Sequence, residues 1–519
     1  MMAKHDEVIS NSLRECRLSL LPCLAICLLL GLLLLMHSPV FAASSDMSAE
    51  ELNLRIQEIF KKGPYARERG AEAPVLKCAT PIIRYALRHK ELLWPENQFI
   101  RYRPTYGGAP ELAYDIPEGH FRIHYTESGT HAVYGSDGNP DTIPAFITDL
   151  ASYFEYSWST EVDGMKYFRP RPDGSAGGDT DLYDVYVIDL GYYGYTSSDG
   201  YYPNTYTYIV VDNSFIGSGF STLISQEGSM KVTAAHEFFH AIQYTYTEFQ
   251  ESNPWWEENT AVWMEDVIYD QVDDYLRYLP DRLDRLYLPL DNEDYMYGGV
   301  LWAQFLSESY GDDIIRHIFE RFFIDASTAK TAIQYILTDR GSGWGEAMSQ
   351  FSLKNLTLDY EEGVNYLLRH PTADYFPDVI PTRVSASDIQ DGYSSGILTV
   401  SHLAAHYIML EADDHEEELR IGLTPQGTTT PVTLFVADMN ATGDVYADSN
   451  TLQVWPRIGF EHTLNGFGGL GAYQRAYLIV INPDPVSNTC SYILTADFTP
   501  PAITAPTIYS PSSGQVLVF

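Results

Sequence analysis

Thr233-Ala-Ala-His-Glu-Phe-Phe-His-Ala-Ile242 carries the run His236-Glu237-Phe238-Phe239-His240, an H-E-x-x-H pattern. Residues four apart lie on one face of a helix, so His236 and His240 can offer two imidazole nitrogens to one metal ion. Zinc suits such a pair: it takes neutral imidazole, has no redox chemistry and, as a catalytic ion, keeps one position open for water. Glu237 lies beside the first ligand, where a carboxylate can take a proton from that water as it attacks a carbonyl. The flanks fit a helix buried with its ligands, because Ala234, Ala235 and Ala241 are small and Phe238, Phe239 and Ile242 are apolar. A charge among them would be stranded in the core. The plainer reading, an amphipathic surface helix with two incidental histidines, needs a polar face that these residues do not supply.

A third ligand is expected downstream. Eighteen residues past His240 lies Glu258, within Pro254-Trp-Trp-Glu-Glu-Asn-Thr-Ala-Val-Trp-Met-Glu-Asp266. Asn253-Pro254 reads as a helix start, with Asn as the cap and Pro in the first turn. Glu258, Ala261, Val262 and Glu265 then share one face, and Ala261 is small enough to let this helix approach the histidine helix. Glu258 is the preferred ligand, with Glu257 and Glu265 as the alternatives; solvation of a surface helix is what such acids more commonly do.

These residues resemble a known family. H-E-x-x-H, a Trp-rich stretch and then Glu-x-x-Ala is similar to the gluzincin zinc metallopeptidases, the superfamily of thermolysin and the zinc aminopeptidases. Ala235-His-Glu-Phe-Phe-His-Ala-Ile-Gln243 with Trp255-Trp-Glu-Glu-Asn-Thr-Ala-Val-Trp-Met-Glu-Asp266 looks closer still to a branch of secreted bacterial metalloproteases. His120-Phe-Arg-Ile-His-Tyr125, Tyr183-Asp-Val-Tyr186 and Val210-Val-Asp-Asn213 share that likeness, which covers roughly residues 75 to 325. The resemblance implies zinc on His236, His240 and Glu258 with Glu237 as base. It also implies a Tyr or His donor for the developing oxyanion. In zinc aminopeptidases a Tyr-x-x-Gly before an apolar helix supplies it, and Tyr295-Met-Tyr-Gly-Gly-Val-Leu-Trp302 makes Tyr297 and Tyr295 the candidates here among 39 tyrosines. The exopeptidase motif Gly-x-Met-Glu-Asn is absent, which favours an endopeptidase. The metzincin pattern fails, because Gln243 and Tyr246 stand where it needs Gly and His.

Composition narrows the partners. Seventy acidic residues against 32 basic ones give a net charge of −38, a surface that repels nucleic acid and anionic membrane. The metallopeptidase resemblance implies a polypeptide substrate. At the N-terminus, Lys4, Arg14 and Arg17 precede an apolar run from Leu20 to Met36, and Val40-Phe-Ala42 follows with small residues at a cleavage site. Residues 1–42 therefore read as a signal peptide, leaving a secreted, extracellular or periplasmic chain with no membrane segment; an uncleaved anchor is the alternative. Of five cysteines, Cys78 and Cys490 lie outside that leader, either as a disulfide or as two buried thiols. Their separation in sequence gives no support to a Cys-ligated zinc. Calcium is considered for Asp137-Gly-Asn-Pro-Asp141 and Asp173-Gly-Ser-Ala-Gly-Gly-Asp-Thr-Asp181, neither of which matches an EF-hand; Asx-rich turns are the commoner cause of such runs.

The predicted fold class is α+β. A zincin-like catalytic domain, with a β lobe, a helical lobe and the zinc helix at the cleft, is followed by an all-β sandwich. Residues 43–115 form an N-terminal helical segment, either a propeptide or the first packing layer, opening on the helical pattern Ala49–Phe60. The catalytic domain spans 116–380. Its β runs include Phe121–Tyr125, Asp184–Ile188 and Thr207–Val211. By the gluzincin likeness, Tyr206–Asp212 is the edge strand that pairs with extended substrate. Period-two runs at Leu419–Leu423, Val432–Val436, Ala476–Ile481 and Ser491–Thr495 give the accessory sandwich at 385–498, similar to those of secreted peptidases. Residues 499–519 are a Pro-rich linker and the start of a further Ig-like module. The rival reading is a surface or adhesive binding protein with a non-catalytic zinc, or a different hydrolase on the same scaffold.

Overall fold

A computed structural model describes residues 47–62, 77–173, 177–178, 180–199, 206–217, 220–221, 223–246, 253–324, 328–363, 366, 382–390, 392–412, 417–426, 432–438, 455–456, 460–468, 475–486 and 488–499. The leader and the Pro-rich end lie outside these residues, as does part of the Asp173–Asp181 loop. The fold is mixed α and β.

Strands β1 (Leu112–Asp115), β2 (Phe121–Tyr125), β3 (Tyr183–Ile188), β4 (Gly194–Asp199) and β5 (Tyr206–Asp212) form a sheet in the order β1-β2-β3-β5-β4. The three central strands are parallel and the two outer ones antiparallel to their neighbours. Parallel strands are covered on both faces, which is why β3 and β5 read as almost unbroken apolar runs. Val185, Val187, Ile209 and Val211 face the core made with helices α3 (Ala145–Trp158) and α4 (Gln226–Tyr246). The alternate residues Tyr186, Ile188, Tyr208 and Val210 face the opposite way, onto α1 (Ala49–Ile59) and α2 (Thr80–Arg88). The N-terminal segment is thus a packing layer on the second face of the sheet.

Tyr206–Asp212 is not the edge strand, because β4 doubles back antiparallel outside it and takes the outer position. Gly194-Tyr-Thr-Ser-Ser-Asp199 is small and polar, without the β-branched alternation that announces a strand. Gly194 begins it where a Cβ would lie 2.8 Å from the Val210 carbonyl and 3.2 Å from Glu237 Cγ, so only glycine lets the edge pass so close to α4.

After α4 come α5 (Pro254–Tyr269), α6 (Leu279–Leu283), α7 (Val300–Tyr310), α8 (Ile314–Ile324), α9 (Ala329–Asp339) and α10 (Trp344–Thr357). Pro254 stands in the first turn of α5 as expected, but Asn253 makes no side-chain cap. Its Oδ1 instead accepts from the Ala329 amide at 3.0 Å, tying the start of α5 to the start of α9. No helix among the described residues is long and apolar enough to cross a membrane.

The C-terminal part holds two more sheets. β6 (Thr382–Val384), β8 (Ala404–Glu411), β10 (Val432–Asp438), β11 (Trp455–Pro456) and β13 (Arg475–Asn482) form one; β7 (Tyr393–Val400), β9 (Glu417–Gln426), β12 (Phe460–Phe467) and β14 (Cys490–Thr499) form the other. Ile408, Leu478 and Val480 of the first share a core with Val400, Ile421 and Leu494 of the second. The other face of β8 and β13, carrying Tyr407, Met409, Tyr477 and Ile479, joins the core of the helical region. Tyr407 donates to the Ser352 carbonyl at 2.9 Å, and Leu290 N–H to the Leu403 carbonyl at 3.0 Å. This sheet is built into the helical region through apolar packing and backbone hydrogen bonds.

Candidate metal centre

Helix α4 runs through the core, and its histidine face is buried along with the rest of it. His236 and His240 sit one turn apart with their Nε2 atoms 3.1 Å from each other. Glu258, on the facing side of α5, places Oε2 3.2 Å from His236 Nε2 and Oε1 3.1 Å from His240 Nε2. Ala261, one turn on and fully buried, lets the two helices approach as its size predicts. Three of the expected ligands are therefore brought together. Cys78 completes the group: its Sγ lies 3.4 Å from His240 Nε2, and the donor atoms of Cys78, His236, His240 and Glu258 all lie within 4.8 Å of one another.

The outer nitrogens of both rings are engaged. His236 Nδ1 meets Glu265 Oε1 at 2.7 Å, and His240 Nδ1 meets Gln243 Oε1 at 2.8 Å. The Gln243 amide in turn donates to the Glu257 carbonyl and to Thr260 Oγ1, both at 3.0 Å, which fixes its oxygen toward the ring. Both rings can thus donate outward through Nδ1–H and turn the lone pairs of Nε2 inward. Those lone pairs face each other beside a carboxylate, and Glu258 Oε1 makes no hydrogen bond of good geometry. A buried pocket of converging acceptors needs a cation, and N, N, O and S donors at this spacing suit a zinc-like ion. Burial opposes charge on His236, but Glu258 and Glu265 outweigh it and push the imidazole up to about 9. Burial likewise opposes the Glu258 carboxylate, yet the two histidines hold it well below the usual range.

The alternatives to Glu258 separate cleanly. Glu257 points away and pairs with the buried Arg84 guanidinium. Glu265 stands behind His236 as its partner, and its other oxygen takes the fully buried Lys77 ammonium at 2.5 Å. Lys77 also meets Asp274 at 2.5 Å, which is bound by Arg277 at 3.0 Å. The cation is held by two carboxylates, so its charge persists despite burial.

Glu237 is buried beside the donors, and its Oε2 accepts from Thr196 Oγ1 at 2.9 Å and Thr80 Oγ1 at 3.2 Å. Of the two tyrosine candidates the structure brings in Tyr297, whose ring lies 6.4 Å from that of His236. Its hydroxyl accepts from the Cys78 amide at 3.2 Å and donates to the Cys78 carbonyl at 3.3 Å. Tyr295 is placed elsewhere, with Arg285 over its ring at 5.2 Å. Sequence reasoning missed Lys77, Cys78, Thr80 and Thr196. The available signal was faint: a lone Lys-Cys in the apolar stretch Pro74-Val-Leu-Lys-Cys-Ala-Thr80, holding one of two cysteines outside the leader. Cys78 and Cys490 are both buried and free, so the disulfide alternative is not realised.

Among the described residues of the two acidic loops, local turns and an arginine engage the carboxylates. Asp137 Oδ1 accepts from the Asn139 amide at 2.8 Å and Asn139 Oδ1 from the Asp141 amide at 3.2 Å, both Asx turns. Asp173 and Asp184 bind Arg103. No curated protein matches the chain. Residues 131–387, just under half of its length and including α4, α5 and Tyr297 but not Cys78, match the model of a family of unknown function (DUF6055).

Proposed function

We propose that the protein is an exported zinc-dependent peptidase acting on polypeptides within the chain, with a zincin-like catalytic region and a C-terminal β-sandwich. The observation that carries this reading is the convergence of His236, His240 and Glu258 with Glu237 alongside, in a pocket whose histidines are both oriented from behind. Zinc held by these residues supplies a Lewis acid that polarises a carbonyl and lowers the pKa of water. Glu237 takes the proton of the attacking water and passes it to the leaving amine; the Thr80 and Thr196 hydroxyls hold its carboxylate in place for this. Tyr297, already donating to a backbone carbonyl, is positioned to donate to the oxyanion of a substrate. The edge strand that receives extended peptide is β4. The acidic surface favours neutral or basic polypeptides and disfavours nucleic acid.

One observation favours a second reading. Four protein donors make a closed set, which is the mark of a structural zinc, and the protein is then a binding protein without hydrolysis. Metal content and casein cleavage, measured on the parent and on Glu237→Gln, test the first reading. The expected outcome is one zinc per chain in both and a loss of cleavage of about 10²–10⁴-fold in the variant. Equal cleavage by both would remove Glu237 from the mechanism.

A further inference from the structure

Residues 77 to 80 reach Glu265, His240, Tyr297 and Glu237. Lys77 binds Glu265, the partner of His236. Cys78 brings its sulfur to the donors and, through its backbone, occupies the Tyr297 hydroxyl. Thr80 donates to Glu237. The same residues lie along the rim of the sheet at β4. Cys78 forms a parallel bridge with Gly194; Ala79 N–H donates to the Gly194 carbonyl at 2.9 Å, and Tyr193 N–H donates to the Lys77 carbonyl at 3.0 Å. The Thr196 amide, the next donor along that edge, is taken by Thr80 Oγ1 at 2.8 Å. An extended peptide that adds to a sheet edge needs those backbone groups, and the chain itself already holds them.

We propose that Cys78 is the fourth ligand of the metal and that Lys77–Thr80 is an intramolecular strap that closes the site in place of substrate. The ligand assignment stands on the donor geometry alone; the blocking role rests on the peptidase reading. A catalytic zinc needs an open position, and a thiolate there excludes the water. On binding, the thiol gives its proton to solvent and no covalent bond between residues forms. Because α1 and α2 cover the second face of the sheet, release is local, a withdrawal of Cys78 from the donors.

The test uses the full chain as parent, Cys78→Ser and Cys78→Ala, each loaded with cobalt(II) and separately with zinc. The cobalt-loaded parent is expected to show a near-ultraviolet thiolate-to-cobalt charge-transfer band that both variants lack. Both variants keep one metal per chain and, with zinc, cleave casein at least about tenfold faster than the parent. A cobalt-loaded parent without the band overturns the ligand assignment, and that spectrum is read even if neither variant folds. With the band present, equal measurable cleavage by parent and variants overturns the strap and leaves the peptidase reading standing. Loss of metal from folded variants overturns the strap as well, since a blocking ligand must be dispensable for retention. Folded, metal-loaded variants that cleave nothing overturn the peptidase reading and the blocking role with it, leaving Cys78 in a closed structural set.

Discussion

Helix α5 presents two groups of potential metal ligands, and they differ in kind. On one face Glu258 joins Cys78, His236 and His240, all buried; beside it Asp266 joins Asp273 and Glu362, all half-buried. In the first group each imidazole has a partner behind it, and the chain from His236 through Glu265 and Lys77 to Asp274 alternates in charge. The second is three carboxylates. Asp266 takes one hydrogen bond, from the Gln304 amide at 3.3 Å, while burial and the charge on Glu362 push its carboxyl up to about 8. Proximity of ligand-type atoms is common to both. Among the described residues, mixed donor chemistry and compensated charge belong to the first alone, and these mark a built site.

The largest effect is expected at His240. His240→Ala removes a central donor and is expected to abolish stoichiometric metal binding after dialysis, read by elemental analysis; full retention would move the metal to the acidic group. A smaller effect is expected at Glu265→Gln, which leaves all four donors but loosens His236 and uncouples Lys77. Metal affinity should fall about 10–100-fold, measured by competition with a chelator, whereas an unchanged affinity would make Glu265 a structural ion-pair partner only. The smallest effect on metal binding is expected at the acidic group. The carboxyl of Asp266 is raised in the folded protein from its ordinary 3.8 to about 8, so it costs no stability while both states are protonated and disfavours folding progressively as pH rises through that window. Asp266→Asn is therefore neutral below the ordinary value and increasingly stabilising as pH rises toward about 8, by several kcal/mol at most, in thermal melts across pH. If calcium stabilised the parent and not this variant, the acidic group would be a cation site and the contrast would fail.

Several elements were legible because their signals are local. Alternation placed β2, β3 and β5, and the three-and-four spacing placed α5 with Glu258 and Ala261 on the face that meets α4. What escaped had no local pattern. β4 is a polar, glycine-led strand whose edge position comes from doubling back on β5. β8 and β13 pack on both faces, so their apolar runs announce strands but say nothing of the helical region they join. Choosing between Glu257, Glu258 and Glu265 needed Arg84 and Lys77, which arrive from the N-terminal segment.

Local pattern alone carries the histidine pair, the glutamate beside it, the face of α5 that answers them and the α+β class, because helix geometry turns spacing directly into proximity. The fold selects which carboxylate joins the histidines and which stands behind one of them, which strand is the edge, and Cys78 as the fourth member of the group. The roles of the carboxylates and the place of Cys78 depend on contacts between segments more than a hundred residues apart, such as Cys78 with His240 and Lys77 with Glu265. No periodicity in a chain records which distant segment folds against it.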